Sequence, residues 1–293
     1  MHETLLYVFT IVDDFCCQFE DDFRKRLLKN GNAKRSGRIM SMTMSEIMTI
    51  LLAFQLSDFR HFKGFYMNLE ANHGSEFPQL VSYSRFVTLM KSAMIPMVGF
   101  FEFVKGVETD SYFIDSTALA VSKNKRIYSH KVFKTLAKRG KSSMGWFFGF
   151  KLHLVCNQQG APIDFRLTPG NIDDRVAAKK LMNGLRGTIV GDKGYISKAL
   201  FKKFFGDGLR IVTAVRKNMK PQLVTLKDSA MISSRSLIES VFNVLKNSMH
   251  LEHSRHRSVA NFMVNLLSTI SAFAVRGMNS GLFKKNCIST LAA

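Results

Sequence analysis

The sequence predicts an α/β protein: a mixed sheet with flanking helices, preceded by an all-helical N-terminal domain. Three observations carry that expectation. Up to about residue 105 the apolar residues recur at helical spacing. Beyond Gly106, short apolar runs separated by glycine and proline read as strands. From residue 174 onward helix-length and strand-length segments alternate, as they do where helices cover a mixed sheet. The expected division is 1–105, the helical domain, and 106–293, the domain built on the sheet.

Taken in order, residues 5–29 form a first helix and the glycine-containing basic stretch 29–38 a loop. Thr43 with Glu46 three residues on is a capping-box pattern, starting a helix through Ile47, Leu51, Leu52 and Phe54. Asp58 opens the next helix, and Ser82 or Ser84 a further one through Phe86, Leu89 and Met90 toward Pro96. Arg60, His61, Lys63, Arg85 and Lys91 lie beside these apolar faces, placed for phosphate contacts or equally as ordinary solvated residues.

In the second part, strands are expected at 112–114, ending on Asp115, at 146–155 and at 163–167. A helix over 174–185 leads to a strand through Ile189 and Val190 to Asp192, then a helix over 197–205 and a strand over 210–215. Asp173 and Asp174 are placed to cap the helix they precede. The apolar stretch 47–56 is too short to span a membrane. The longer one, 262–275, is broken by Asn265, Ser268 and Ser271, so it reads as a buried helix and no membrane partner is expected.

Hydrophobic residues make up 46% of 293, enough to fill a real core. The 42 Lys and Arg against 22 Asp and Glu leave a net charge of +20. Such a surplus repels itself in the folded state and is usually kept for a polyanionic partner. Nucleic acid is the first candidate and an anionic membrane surface the second; a soluble basic protein without such a partner is the plain alternative. Cys16, Cys17, Cys156 and Cys287 have neither zinc-site spacing nor the density of a disulfide-stapled fold, and residues 1–17 lack the basic start of a signal peptide. A reduced cytoplasmic interior is expected.

The carboxylates are few, so their placement is informative. None lies between Asp115 and Asp164, although eight Lys and Arg lie from Lys123 to Lys141. An aspartate at a strand end can simply cap a turn. Asp192 repeats the arrangement, however, ending an apolar run before the turn Lys193, Gly194, Tyr195. Two such residues can converge on one edge of a sheet, where open α/β sheets tend to bind ligands. Glu239 lies on a helix whose apolar face is Ile238, Val241, Phe242 and Leu245, with Arg235 one turn before it and Lys246 about two turns after. Read plainly, these are an i,i+4 ion pair and a solvated lysine. Exchange of one phosphodiester oxygen for another offers a chemical reason for such a set. Two metal ions can stabilise the attacking and leaving oxygens together, and hard ions need only a few carboxylates from separate elements.

These residues resemble the DDE transposases of bacterial insertion sequences, in the branch with a short helical N-terminal domain and a ribonuclease H-like catalytic domain. The likeness extends over nearly the whole chain. Its strongest marks are Ile114, Asp115, Ser116, Thr117 and Gly191, Asp192, Lys193, Gly194, Tyr195, followed by the spacing of Arg235, Glu239 and Lys246. Where the family has a tyrosine three residues before that arginine, this chain has Ile232. Further likeness lies in 145–153, in Thr168, Pro169, Gly170, Asn171 with Asp173, Asp174 and Arg175, and in 252–258.

The resemblance implies that Asp115, Asp192 and Glu239 are the catalytic and metal-holding residues, with Mg²⁺ or Mn²⁺, two ions, as cofactor. It implies cleavage of element ends and transfer of the freed 3′-hydroxyl into target DNA, with no covalent protein intermediate and no ATP. The partners implied are double-stranded DNA, as terminal inverted repeats and as target, and further copies of the chain, as a homodimer or higher oligomer on DNA, in the bacterial cytoplasm on the nucleoid. Helices in 1–105 would then bind DNA ends or dimerise.

Lys193, Arg235 and Lys246 are candidates to hold phosphates near the acids, Arg235 also to orient Glu239. The run containing Lys125, Arg126, Lys131 and Arg139, interleaved with Tyr128 and Phe133, is expected as a basic hairpin or loop against DNA, the alternative being a solvated loop. Arg255 and Arg257, among His250, His253 and His256 at helical spacing, read as a DNA-facing basic segment rather than a zinc site. Competing functions are a catalytically inactive transposase-derived DNA-binding protein and a related ribonuclease H-like nuclease. A restriction-type nuclease fits poorly because Asp192 and Lys193 are adjacent, and no Arg, His and Tyr set supports a covalent recombinase.

Overall fold

The computed structural model describes residues 1–29, 41–143, 145–195, 197–213, 225–252 and 256–283. The loop expected over 29–38 and the end of the strand expected over 210–215 fall largely outside them.

Five helices come first: α1 (His2–Lys29), α2 (Met44–Leu56), α3 (Phe62–His73), α4 (Tyr83–Leu89) and α5 (Met94–Val104). The Thr43–Glu46 capping box starts α2 as expected, each residue's side chain bonding the other's backbone N–H. Asp58 opens no helix; α3 begins at Phe62, where a cluster of Phe54, Phe59, Phe62 and Phe65 rings fixes the turn instead. The N-terminal end of α1 is tied to the turn after α3, with the Nδ1 atoms of His2 and His73 at 3.2 and 2.6 Å from one oxygen of Glu76.

The sheet comprises β1 (Ser111–Ser122), β2 (Lys138–Ser142), β3 (Gly145–Asn157), β4 (Pro162–Pro169), β5 (Gly187–Gly191) and β6 (Leu209–Thr213). Its order is β2-β3-β1-β5-β6, with β4 also paired to β3. β1, β5 and β6 run parallel, while β3 runs antiparallel to β1, β2 and β4. This is the expected mixed sheet of ribonuclease H-like form, covered by helices on both faces.

Asp115 does not end its strand. β1 continues to Ser122 because β3 supplies an antiparallel partner along its length, from Tyr112↔Asn157 to Ser122↔Phe148. What stops before Asp115 is the parallel pairing with β5, whose last matched pair is Ile114↔Gly191.

Alternation along the strands divides the core. One face buries Tyr112, Ile114, Val155 and Ile189 against α6 (Asp174–Leu181) and α7 (Lys198–Gly206). The other places Phe113, Leu119, Leu152 and Leu154 against α9 (Ser236–Asn243) and α10 (Val259–Asn279). That second cluster continues without a break into α1, α2 and α5, so the N-terminal helices share their core with α10. The stretch 262–275 is the buried part of α10, as expected.

Because α10 is buried nearly all round, its polar side chains need partners. Gln55 of α2 supplies two: its amide donates to Asn265 at 2.9 Å and accepts from Thr269 at 3.1 Å. Gln55→Ala leaves the Asn265 amide oxygen short of a bond, whereas Thr269 keeps the Asn265 carbonyl at 2.7 Å, and we expect it to lower stability by about 1–3 kcal/mol in urea unfolding. An unchanged midpoint would show that this triad does not fasten α2 to α10.

Candidate active site

Three elements bring the acids together. Asp115 projects from β1 on the face that meets α9 and α10, since the face covered by α6 and α7 takes its neighbours Ile114 and Ser116. Asp192 follows the last residue of β5, and the register Ile114↔Gly191 sets it beside Asp115 on the adjacent strand. Glu239 lies in the first turn of α9, whose buried residues Ile238, Val241 and Phe242 press the helix onto that face.

Arg235, immediately before α9, spans two of the acids. Its guanidinium lies 3.5 Å from Asp115 Oδ2 and 2.5 Å from Glu239 Oε1. The far end of α9 is moored to the same strand: Lys246 Nζ donates to Thr117 Oγ1 at 3.3 Å and to the Ala118 carbonyl at 3.1 Å, and pairs with Glu252 at 3.0 Å. Lys246 belongs to a π-helical turn, Val244–Ser248, which continues α9. Such turns are rare and recur at functional sites.

Burial pushes the Asp115 carboxyl up to about 6; the Ser116 N–H, at 2.8 Å, and Arg235 pull it back, while Asp192 and Glu239 push it further up. Burial also raises the Tyr195 phenol well above the ordinary tyrosine range, with Asp115, Asp174 and Asp192 adding to it and Ser116 opposing it.

The other candidates separate. Lys193 is exposed in the turn after Asp192. Lys125 and Arg126 are exposed on a 3-10 turn, Asn124–Arg126, and Lys131 is exposed shortly after it, whereas Arg139 lies on β2 with its guanidinium 4.8 Å from the centre of the Trp146 ring. The basic run is therefore half loop and half strand. Tyr128 is 98% exposed, but Phe133 is buried among Phe150 and Phe262 and serves to anchor the run.

Arg257 is exposed, and Arg255 and His253 lie outside the described residues. His250 and His256 are not on a helix, and His256 packs edge-on against Phe262, with burial lowering its pKa to about 4, so it does not face outward as expected. Ile232, in place of the family tyrosine, is on α8 (Leu226–Ser233) and packs on the main core. An open basic groove between α6 and α7, lined by Arg175, Lys179, Lys180 and Lys203, contains none of the three acids.

The sequence reading missed a polar group beneath the sheet. His153, fully buried on β3, is 2.9 Å from Thr168 Oγ1, and Lys151 donates to Asp174 at 3.0 Å. The signal was present, since Lys151 and His153 alternate with Leu152 and Leu154 in a strand that is otherwise apolar.

The Transposase DDE domain family matches residues 105–259, more than half of the chain and all three acids. This chain belongs to the DDE transposase family. A Brucella ovis protein assigned as a transposase of insertion sequence element IS6501 is 28% identical over 115 residues, 39% of this chain and 88% of that one. The piggyBac transposase, solved as a synaptic complex with hairpin DNA, superposes with a TM-score of 0.50 at 12% identity, covering 97% of this chain and 74% of that one. At that identity the likeness is one of fold.

Asp115 links the site to stability. A carboxyl raised from the ordinary 3.8 to about 6 favours the folded state only while protonated. That contribution is complete below about pH 4 and is lost as pH rises through about 6. Asp115→Asn, which can still accept the Ser116 N–H, should therefore stabilise the metal-free protein by on the order of 1–3 kcal/mol at pH 8 and by little at pH 4. Thermal unfolding at the two pH values checks this; equal effects at both would remove the electrostatic explanation.

Proposed function

We propose that this family member is a metal-dependent DNA transposase that cleaves the ends of its element and transfers the freed 3′-hydroxyl into target DNA. The observation that carries the reading is the gathering of Asp115, Asp192 and Glu239 at one sheet edge, where Arg235 already neutralises two of them.

The donor set suits a hard divalent ion: it is all carboxylate oxygen, drawn from three elements, and leaves room for waters in the coordination shell. Asp115, Asp192 and Glu239 would hold Mg²⁺ or Mn²⁺, two ions in the reading adopted here. Bound there, the ions stabilise charge on the attacking and leaving oxygens of the phosphodiester.

The remaining steps fall to this chain's own side chains. Arg235 would turn from Asp115 as the cations enter, keep Glu239 oriented, and offer its free N–H groups to a phosphate oxygen. Lys246, fixed on β1 two to three residues from Asp115, would hold α9 in register and place a positive charge beside the strand being cut. Lys193, Lys125, Arg126, Lys131, Arg139 and Arg257 would track the DNA backbone as exposed cations, and Arg255 is assigned the same role from the sequence.

The helical segment 1–105 would contribute DNA-end binding or pairing of two copies, with 106–293 as the catalytic part. The inverted repeats and the target are the DNA partners, and the cytoplasm, on the nucleoid, is the place of action.

Purified protein should cut DNA carrying the inverted repeats that flank its gene only when Mg²⁺ or Mn²⁺ is added, and should then join the ends to a second DNA. Asp192→Ala should abolish cutting while DNA binding persists. Binding without cutting under either metal would instead favour an inactive, DNA-binding relative, and cutting without joining a nuclease. Cutting that survives Asp192→Ala would sink the assignment of the acids.

Affinity for DNA should also fall steeply between 50 and 200 mM salt, by about 10³-fold or more if six or more phosphates are contacted. A flat salt dependence would contradict binding through the basic surface.

A further inference from the structure

Tyr195 lies in the turn that follows Asp192, and its backbone N–H closes that turn on the Asp192 carbonyl at 2.9 Å. Its side chain then folds back under the sheet, on the face opposite the Asp115 carboxylate, and is 1% exposed. The ring lies across the two strands at the residues just before the acids. A Cβ on Gly191 would stand 3.0 Å from the Tyr195 ring and 3.0 Å from Ile114 Cγ2, so the absence of a side chain at 191 is what lets ring and strands close up.

The hydroxyl is buried beneath the sheet without a hydrogen-bond partner among the described residues, near a polar group with pairings of its own. Ser116 is opposite His153 in the β1–β3 ladder, His153 meets Thr168, and Asp174 is held by Lys151. Lys151 also donates to the Ile172 carbonyl at 3.1 Å, fixing the chain just before α6. A phenylalanine at 195 would keep the same ring contacts, because the hydroxyl makes no hydrogen bond among the described residues.

We propose that Tyr195 is a positioning residue that sets the placement of Asp192 relative to Asp115, its ring clamping Ile114 and Gly191 from beneath the sheet. The proposal rests on the reading of Asp115 and Asp192 as metal-holding residues. It makes Tyr195 a determinant of metal affinity, although it touches neither metal nor DNA. Removing the ring frees the Asp192 turn, so the two carboxylates no longer present a fixed pair of ligands and the cation binds more weakly; the DNA surface is left as it was.

The test compares the wild-type chain with Tyr195→Leu, Tyr195→Phe, Gly191→Ala and, as reference, Asp192→Asn. Mn²⁺ affinity is read by titration calorimetry without DNA, DNA affinity in the absence of metal, folding by thermal unfolding, and cleavage as a function of Mn²⁺. Tyr195→Leu should weaken Mn²⁺ binding about tenfold or more and raise the Mn²⁺ needed for half-maximal cleavage in parallel, with DNA affinity unchanged. Tyr195→Phe, which keeps the ring, should recover most of that loss. Gly191→Ala keeps the tyrosine but forces the ring away, and should weaken Mn²⁺ binding as Tyr195→Leu does, so the clamp is still tested if the leucine variant does not fold.

Folded Tyr195→Leu and Gly191→Ala proteins with wild-type Mn²⁺ affinity would overturn the proposal. If Asp192→Asn also binds Mn²⁺ normally, the failure lies with the metal-site reading; if only Asp192→Asn loses Mn²⁺, it lies with Tyr195.

Discussion

Three carboxylates held at one edge of a sheet repel one another, and much of the structure around them serves to keep them there. Two like charges a few ångströms apart cost several kcal/mol at the effective dielectric of a protein surface. Arg235 offsets this for Asp115 and Glu239, but partial burial still leaves Asp115 hard to ionise. A site in this condition favours any added positive charge. The same tension that makes the acids costly to the metal-free fold makes them suited to divalent cations, and a net charge of +20 suits the chain to a polyanion.

The sheet resolves the tension by using both of its faces. The face toward α9 carries the Asp115 carboxylate, with Arg235 and Lys246 mooring the two ends of that helix to β1. The opposite face carries the support: Tyr195, His153, Thr168, Asp174 and Lys151 between the strands and α6. Helix α10 backs the first face and extends its apolar cluster into α1, α2 and α5. The N-terminal helices and α9 therefore share one apolar layer through α10.

Features fixed by local chemistry were the most legible in the sequence. The Thr43–Glu46 box and the cap at Asp173 depend on residues within one helical turn, and each is found where its pattern falls. The convergence of Asp115 and Asp192 could be anticipated because both follow apolar runs, and the register Ile114↔Gly191 realises it. Features fixed by distant partners were not legible. The extension of β1 past Asp115 reads Ser, Thr, Ala, Leu, Ala, Val, Ser, a strand signal diluted by alanine and serine, and depends on β3 about thirty residues away. β2 reads Lys, Arg, Gly, Lys, Ser and is a strand only because β3 pairs with it. His256 sits among basic residues, yet the ring of Phe262 decides its place.

Metal-directed cleavage of the polypeptide is the most direct test of whether the three acids form one cation site. Fe²⁺ loaded in place of Mg²⁺, with ascorbate and peroxide, cuts the backbone close to where the ion resides. Cuts near residues 115, 192 and 239 together, suppressed by excess Mg²⁺ and lost in Asp115→Asn, are the predicted result. Cuts confined to another cluster, such as His2, His73 and Glu76, with none at the three acids, would contradict it.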